Sequence, residues 1–221
     1  MKRIRLITAS FGHEPKQLRI RTPLVYKDYS IDIIAYNDDN TPSREKSLLP
    51  RTKGKIPKMM EWFDHPDYDY YIWIDSKFTI LEGFLDHMME YENDEDAQIC
   101  LFKHPYHNSI KQEMDFMRDH MNNGDDYLIS RYEGEIMEDK VNEYLADPSF
   151  KDDKFFYCGL FMYSKKLVEN RGDNIMKDWL LHCIMYNTHD QLWFCYLLQK
   201  HKIKYRVYSQ HLLKNNFLRY V

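Results

Sequence analysis

The chain has 221 residues, 43% of them hydrophobic and 15% aromatic, and its 31 Lys and Arg against 35 Asp and Glu leave a formal charge of −4. That composition excludes general disorder, and the acidic balance argues against a protein that grips nucleic acid with a bulk basic surface. The length suits one domain, expected over residues 1–221, which buries roughly 70% of its unfolded surface and so needs no disulfide to hold a core.

Residues 3–9 read as a first strand, rich in branched side chains and ending in Ser10-Phe11-Gly12. Residues 31–36 read as a second, followed at once by the turn cluster Asn37-Asp38-Asp39-Asn40. Residues 57–63 have helical character, with Pro57 suited to a first turn. Residues 70–74 are nearly all apolar or aromatic, the pattern of a central strand covered on both faces. A helix is expected over 82–91 and a fourth strand over 97–102. Asn108 is expected to cap a helix running to about residue 121, in which Met114, Met117 and Met121 fall at helical spacing and read as core filler. Residues 125–153 are acidic and helical in their middle. A strand over 155–163, helices over 175–185 and 190–201, and a last strand over 203–208 complete the order.

Such alternation predicts an α/β fold with a mainly parallel central sheet flanked by helices. In sheets of that kind a ligand lies at the carboxyl ends of the strands. The residues to watch are therefore Ser10-Phe11-Gly12, Asn37-Asp38-Asp39, Asp75-Ser76-Lys77, Lys103-His104-Pro105 and those after Tyr208.

Several chemistries fail on motif alone. The sequence has no G-x-G-x-x-G, no G-x-x-x-x-G-K-[ST], no G-x-S-x-G and no H-E-x-x-H. Cys100, Cys158, Cys183 and Cys195 are not at C-x-x-C spacing and read as small core residues. Without an N-x-S/T acceptor as well, they favour a reducing compartment, so the expected location is the cytoplasm or the cytoplasmic face of a membrane. The apolar run at residues 6–9 is too short for a signal peptide, and no stretch approaches the roughly 18 apolar residues of a membrane helix.

Three features carry candidate chemistry. The run Tyr70-Tyr71-Ile72-Trp73-Ile74-Asp75-Ser76-Lys77 delivers an acid into solvent at the end of an apolar strand. Its functional reading is a carboxylate that holds a metal or a sugar hydroxyl beside a diphosphate; its plain reading is a turn. The basic stretch Arg44, Lys46, Arg51, Lys53, Lys55 and Lys58 is opposed only by Glu45 and leads toward that strand. It reads as a solvated loop or as the cations a diphosphate needs. In Thr188-His189-Asp190-Gln191, Asp190 either caps a helix or points a carboxylate into the site.

Thr8-Ala9-Ser10-Phe11-Gly12, Lys55-Ile56-Pro57-Lys58, Tyr71-Ile72-Trp73-Ile74-Asp75-Ser76-Lys77 and Asp190-Gln191-Leu192-Trp193-Phe194, in that order, resemble the TOD1/MUCI70 glycosyltransferase-like domain (DUF616) across most of residues 4–200. The W-I-D-x-K segment with a later D-Q-L is its most specific part. The resemblance implies a GT-A type, Rossmann-like nucleotide-sugar transferase. It implies a nucleotide-sugar donor such as a UDP sugar, and a glycan or other hydroxyl acceptor. Thr8, Ala9, Gly12 and Asp38 would line the nucleoside site. Arg51, Lys55, Ser76 and Lys77 would meet the diphosphate, and Asp75 would hold ribose, sugar or metal. His104, Glu113, Cys158 and Gly159 would lie on the acceptor and sugar side, with Gly159 allowing close backbone approach. Asp190 is the candidate base if configuration inverts, or orients the sugar if it is retained. Many GT-A enzymes bind Mn²⁺ or Mg²⁺ through D-x-D and a late histidine, here Asp75 and His211. Lys77 stands at the second acid, which implies weak or dispensable metal dependence. The alternatives are a nucleotidyltransferase and a non-catalytic nucleotide-sugar-binding module.

Overall fold

The computed structural model describes residues 1–12, 18–41, 48–170, 172 and 174–220. In chain order its elements are β1 (Arg3–Ala9), β2 (Arg19–Ile20), β3 (Ser30–Tyr36), α1 (Pro50–Asp64), β4 (Tyr70–Ile74), β5 (Phe78–Ile80), α2 (Phe84–Met88), β6 (Ile99–Lys103), α3 (Ile110–Asn122), α4 (Asp126–Tyr132), α5 (Glu138–Ala146), β7 (Phe156–Ser164), a 3-10 turn (Lys165–Val168), α6 (Ile175–Met185), α7 (Gln191–Lys200), β8 (Tyr205–Val207) and β9 (Leu218–Tyr220).

The central sheet has six strands in the order β3-β1-β4-β7-β6-β8. Five run the same way, and β7 is inserted antiparallel between β4 and β6. This is the α/β, mainly parallel architecture expected from the alternation of elements. The apolar strand β4 is central and buried at all five positions. Side chains alternate across a strand, so Tyr71 and Trp73 face one core while Tyr70, Ile72 and Ile74 face the other. The first core is closed by α1, α3, α5, α6 and α7, through Trp62, Met117, Tyr144, Trp179 and Phe194. The second is closed by α2 and by a small sheet of order β2-β5-β9, through Phe84, Phe78 and Leu218. All four cysteines are free and buried, as core residues. No helix among the described residues is long and apolar enough to cross a membrane.

Several boundaries differ from the sequence reading. Helix α1 starts at Pro50, which sits in the first turn where no N–H is needed, and Pro57 falls inside the helix. The cap of α3 is Ser109, whose hydroxyl accepts from Gln112 N at 3.1 Å, and not Asn108. The acidic segment after it forms two helices, α4 and α5, separated by Gly134 in a left-handed conformation. The small sheet had no sequence signal, because β2, β5 and β9 are only two or three residues long.

The direction of β7 shapes the site. The carboxyl ends of β1, β4 and β6 lie at one edge of the sheet, and an antiparallel strand brings its beginning to that same edge. Ile74 pairs with Leu160 and Lys103 with Phe156. Asp75 N then donates to Gly159 O at 2.8 Å, and His104 N to Phe155 O at 2.9 Å.

Candidate active site

A cavity of about 510 Å³ opens at this edge. Ala9 and Phe11 come from the end of β1, Asp75, Ser76 and Lys77 from the end of β4, and His104 from the end of β6. Tyr157 and Gly159 come from the start of β7, and Tyr220 from β9. The opposite wall is helical. Arg51, Lys55 and Lys58 of α1 face Tyr127, Arg131 and Tyr132 of α4, with Thr188 to Gln191 between them.

The basic stretch from Arg51 onward is thus helix and not loop. Positions 51, 55 and 58 are spaced by four and three residues, which puts them on one helical face. Lys53 faces elsewhere and pairs with Asp38 at 2.6 Å. Arg44 and Lys46 lie outside the described residues. Five cationic side chains line the cavity (Arg51, Lys55, Lys58, Lys77 and Arg131) against the two carboxylates of Asp75 and Asp190.

Asp190 is buried and carries an ion pair with each of two lysines, Lys55 Nζ at 2.8 Å and Lys58 Nζ at 2.5 Å. Burial opposes its charge, but the two ammonium groups outweigh burial and hold the carboxyl well below the ordinary range. Lys55 answers in kind: burial works against its charge, and Asp190 nonetheless raises its pKa. The Asp190 side chain caps nothing. A carboxylate so pinned is a poor proton acceptor, which counts against the base role expected for it and favours the alternative of an orienting group.

Asp75 is partly buried. Its Oδ1 accepts from Trp73 Nε1 at 2.9 Å, and Lys77 Nζ stands 3.6 Å from Oδ2. Lys77 also lies over the Tyr157 and Tyr220 rings, 5.3 and 5.6 Å from their centroids. Side chains of the same chain approach Gly159 closely. A Cβ there would come within 2.5 Å of Asp75 Oδ2 and closer still to the Tyr157 hydroxyl. That hydroxyl is buried without a hydrogen-bond partner among the described residues, as is Arg51 Nη1.

The structure does not bring every predicted residue to the cavity. Thr8 is fully buried and does not line it. Asp38 is spoken for, since it accepts from Gly12 N at 2.8 Å and from Lys53. Gly12 itself needs a positive φ of 72° and packs against Pro50, a position no Cβ could share. Cys158 is buried, and its N–H donates to Gln191 Oε1 at 3.1 Å. His211 is exposed outside the cavity, in a turn where its Nδ1 accepts from Leu213 N. The metal arrangement of Asp75 with His211 is therefore not formed. One Asp75 oxygen is taken by Trp73, the other faces an ammonium, and the histidine is elsewhere.

A different group has the right ligand types for a cation. Atoms of His104, His107 and Glu113 lie within 4.8 Å of one another. Both Glu113 oxygens are already occupied, by His107 Nδ1 at 2.5 Å and His189 Nε2 at 2.7 Å. His104 stacks on His107 with 5.3 Å between ring centroids, and its Nδ1 accepts from His107 N at 3.1 Å. These contacts make a hydrogen-bonded cluster rather than an open coordination sphere.

Residues 44–219 match the family described as TOD1/MUCI70, glycosyltransferase-like domain. The chain belongs to this family. The match begins after Thr8 to Gly12, so that segment of the resemblance lies outside it. No curated protein sequence matches the chain. Many solved structures are similar in shape, among them two transferases. One is a glycosyltransferase involved in the glycosylation of the major capsid of PBCV-1, with 10% identity, a TM-score of 0.44, and 94% of this chain and 81% of that chain covered. The other is mouse xyloside xylosyltransferase 1, with 11% identity, a TM-score of 0.48, and 93% of this chain and 84% of that chain covered.

Within the family match, the segments that carried the resemblance meet in space: Lys55 and Lys58, Asp75 to Lys77, and Asp190 with Gln191 all line one cavity. Sequence reasoning missed Tyr157, Tyr220, Arg131 and the α4 tyrosines, because distant parts of the chain bring them in. His189 was quoted in its motif without a role. Its partner Glu113 is 76 positions away, so nothing in the sequence joined them.

Proposed function

We propose that the chain transfers a glycosyl group from a nucleoside diphosphate sugar to a hydroxyl acceptor, as a GT-A type enzyme. Family membership supports glycosyl transfer as the class of chemistry. The observation that carries the donor class is the charge of the cavity. Five cations line it in a chain of net charge −4, and Asp190 neutralises part of only two of them. Arg131 has no ion pair among the described residues, and Lys77 and Arg51 each face a single carboxylate, Asp75 at 3.6 Å and Glu135 at 3.1 Å. A leaving diphosphate gains negative charge as the bond to the sugar breaks, and cations fixed beforehand stabilise that charge without reorganising. The guanidinium of Arg51 is held by Glu135 Oε1 at 3.1 Å while Nη1 stays unpaired, which leaves one edge of its fork for phosphate oxygens.

In this reading Lys77 does the work of a divalent cation at the diphosphate. Asp75, which lines the cavity, receives a hydroxyl of the donor's ribose or sugar. Asp190 holds Lys55 and Lys58 in place and orients the sugar. The exposed ring of Tyr127 and the ring of Tyr220 give flat apolar faces at the rim, suited to a saccharide acceptor.

Calorimetry with UDP, GDP and their sugars tests the donor class, and slow release of free sugar from the same panel tests the chemistry. The expected result is binding of at least one nucleoside diphosphate by the wild type. Lys77→Ala should weaken it about 10- to 100-fold, the worth of a charged hydrogen bond. If no nucleoside diphosphate binds, the transferase reading fails. Binding without turnover of any sugar nucleotide would favour a non-catalytic binding module.

A further inference from the structure

We infer that His189 is the catalytic base that takes the proton of the attacking hydroxyl, with Glu113 as the positioning residue that fixes its tautomer. The inference rests on the transferase reading above and assigns it a proton acceptor. Glu113 projects from the first turn of α3 and is buried. Its Oε1 lies 2.7 Å from His189 Nε2 and its Oε2 2.5 Å from His107 Nδ1. Burial opposes the Glu113 charge, but the hydrogen bonds from His189 and His107 outweigh it and hold the carboxyl down to about 2. An ionised carboxylate can only accept hydrogen bonds. The neutral ring of His189 therefore carries its hydrogen on Nε2, and its lone pair is on Nδ1. Nδ1 has no hydrogen-bond partner among the described residues, and His189 forms part of the cavity wall.

The ring is held on its other sides too. Tyr132 stacks on it, 5.3 Å between centroids and 19° from parallel. The His189 backbone N–H donates to Asn187 Oδ1 at 2.6 Å. The preceding residue is fixed by Glu135, which accepts from Thr188 N at 2.7 Å and from the Thr188 hydroxyl. This is the arrangement a general base needs, a ring in the cavity wall with one nitrogen unpaired among the described residues and the other oriented by an acid. Asp190, the neighbouring acid, cannot take the role while two lysines hold it.

The step balances without another reactant. As the acceptor oxygen bonds to the anomeric carbon, its proton passes to His189 Nδ1. The bond from that carbon to the diphosphate oxygen breaks, and its electron pair leaves with the diphosphate, met by Lys77. The imidazolium is stabilised by Glu113 and later returns its proton to solvent. A base and a leaving group acting together on one carbon work from opposite faces, so the product has inverted configuration. The titratable and charged groups around His189 are Glu113 on α3, His104 and His107 after β6, Tyr132 and Arg131 on α4, and Asp190 with the α1 lysines that pair with it.

The test has two arms on the full chain. Ring ¹⁵N spectra of histidine-labelled protein near neutral pH should show His189 with its hydrogen on Nε2, the signal assigned by its loss in His189→Gln. In Glu113→Gln that preference should relax. A wild-type ring carrying its hydrogen on Nδ1 overturns the inference. In the second arm, sugar release from whichever sugar nucleotide of the panel the wild type uses is followed by proton NMR. His189→Gln should lower kcat about 10²–10⁴-fold with UDP affinity unchanged, and the first anomer released should be inverted. A variant that keeps wild-type kcat, or a retained anomer, also overturns it. If His189→Gln fails to fold, the anomer released by the wild type decides. A wild type that binds no nucleotide sinks the transferase reading itself, a result distinct from either failure of the base.

Discussion

At the scale of single residues, the most informative is Asp190. Its sequence position, just before a helix, suggests a cap, and a cap is satisfied as well by Asn as by Asp. In the fold it is instead the shared counter-ion of two buried lysines. Removing one partner of a buried ion pair leaves the other charge uncompensated, at a cost of about 3–5 kcal/mol. Asp190→Asn should therefore destabilise the chain by about that much in urea at pH 7, where a mere cap would leave it unchanged. The pH dependence has a definite sign. The carboxyl is held down in the fold, so its contribution is full above the unfolded value of about 3.9 and disappears as pH falls toward the lower folded value. The deficit of the variant should hold across neutral pH and close only in acid; a variant as stable as wild type at pH 7 rules the ion-pair role out. Gly159 gives a second case. Its φ needs no glycine, but a Cβ would collide with Asp75 and Tyr157. Gly159→Ala should lose about 1–3 kcal/mol from overpacking, read as a shift of the urea midpoint.

At the scale of elements, Ser109 offers a clean test of where α3 begins. Ser109→Ala should cost about 1 kcal/mol in thermal or urea unfolding, and Asn108→Ala much less, because the Ser109 hydroxyl accepts the Gln112 N–H, while Asp152, and not Asn108, takes those of Ile110 and Lys111. Equal losses would mean that the cap is shared. The error over Asn108 is typical of what sequence withholds. The strands of the main sheet were legible because branched and aromatic runs such as Tyr70 to Ile74 have few other homes. Helix α6 was legible at both ends. Strand β7 was legible as a strand but not in direction, since an apolar run reads the same both ways and only its partners β4 and β6 orient it. Helix α1 was read from its second proline because Lys and Arg are equally at home in loops. Its cationic face became visible only once positions 51, 55 and 58 lay on one turn-to-turn line. Asp75 and Lys77 were found because a charged pair at the end of an apolar strand stands out. The Glu113–His189 pair was not, because two polar residues far apart in the chain carry no joint signal.

Over the whole molecule, charge is segregated. The chain is acidic overall, yet the cleft at the sheet edge concentrates cations from α1, α4 and the end of β4. These come from three elements that share little local sequence, so the concentration is a property of the fold. A cleft with low-dielectric walls focuses the field of such charges on an anion. Lys77 is partly exposed, and so is Arg51; both are therefore open to screening, for which the Debye length is about 10 Å at 0.1 M salt. Affinity for a nucleoside diphosphate should accordingly fall as salt rises from 50 to 500 mM. It should fall less for the monophosphate and hardly at all for the nucleoside, in step with the charge each brings. The same reasoning applies to metal. On the proposed reading, the ammonium beside Asp75 would supply the positive charge that a cation would otherwise bring to the diphosphate, and a chelator does not remove it. UDP binding should be the same with EDTA as without. Titrations at three salt concentrations, each with and without EDTA, measure both effects. Affinity that ignores salt, or that vanishes with EDTA and returns with Mn²⁺, would show that the protein's own cations do not hold the diphosphate.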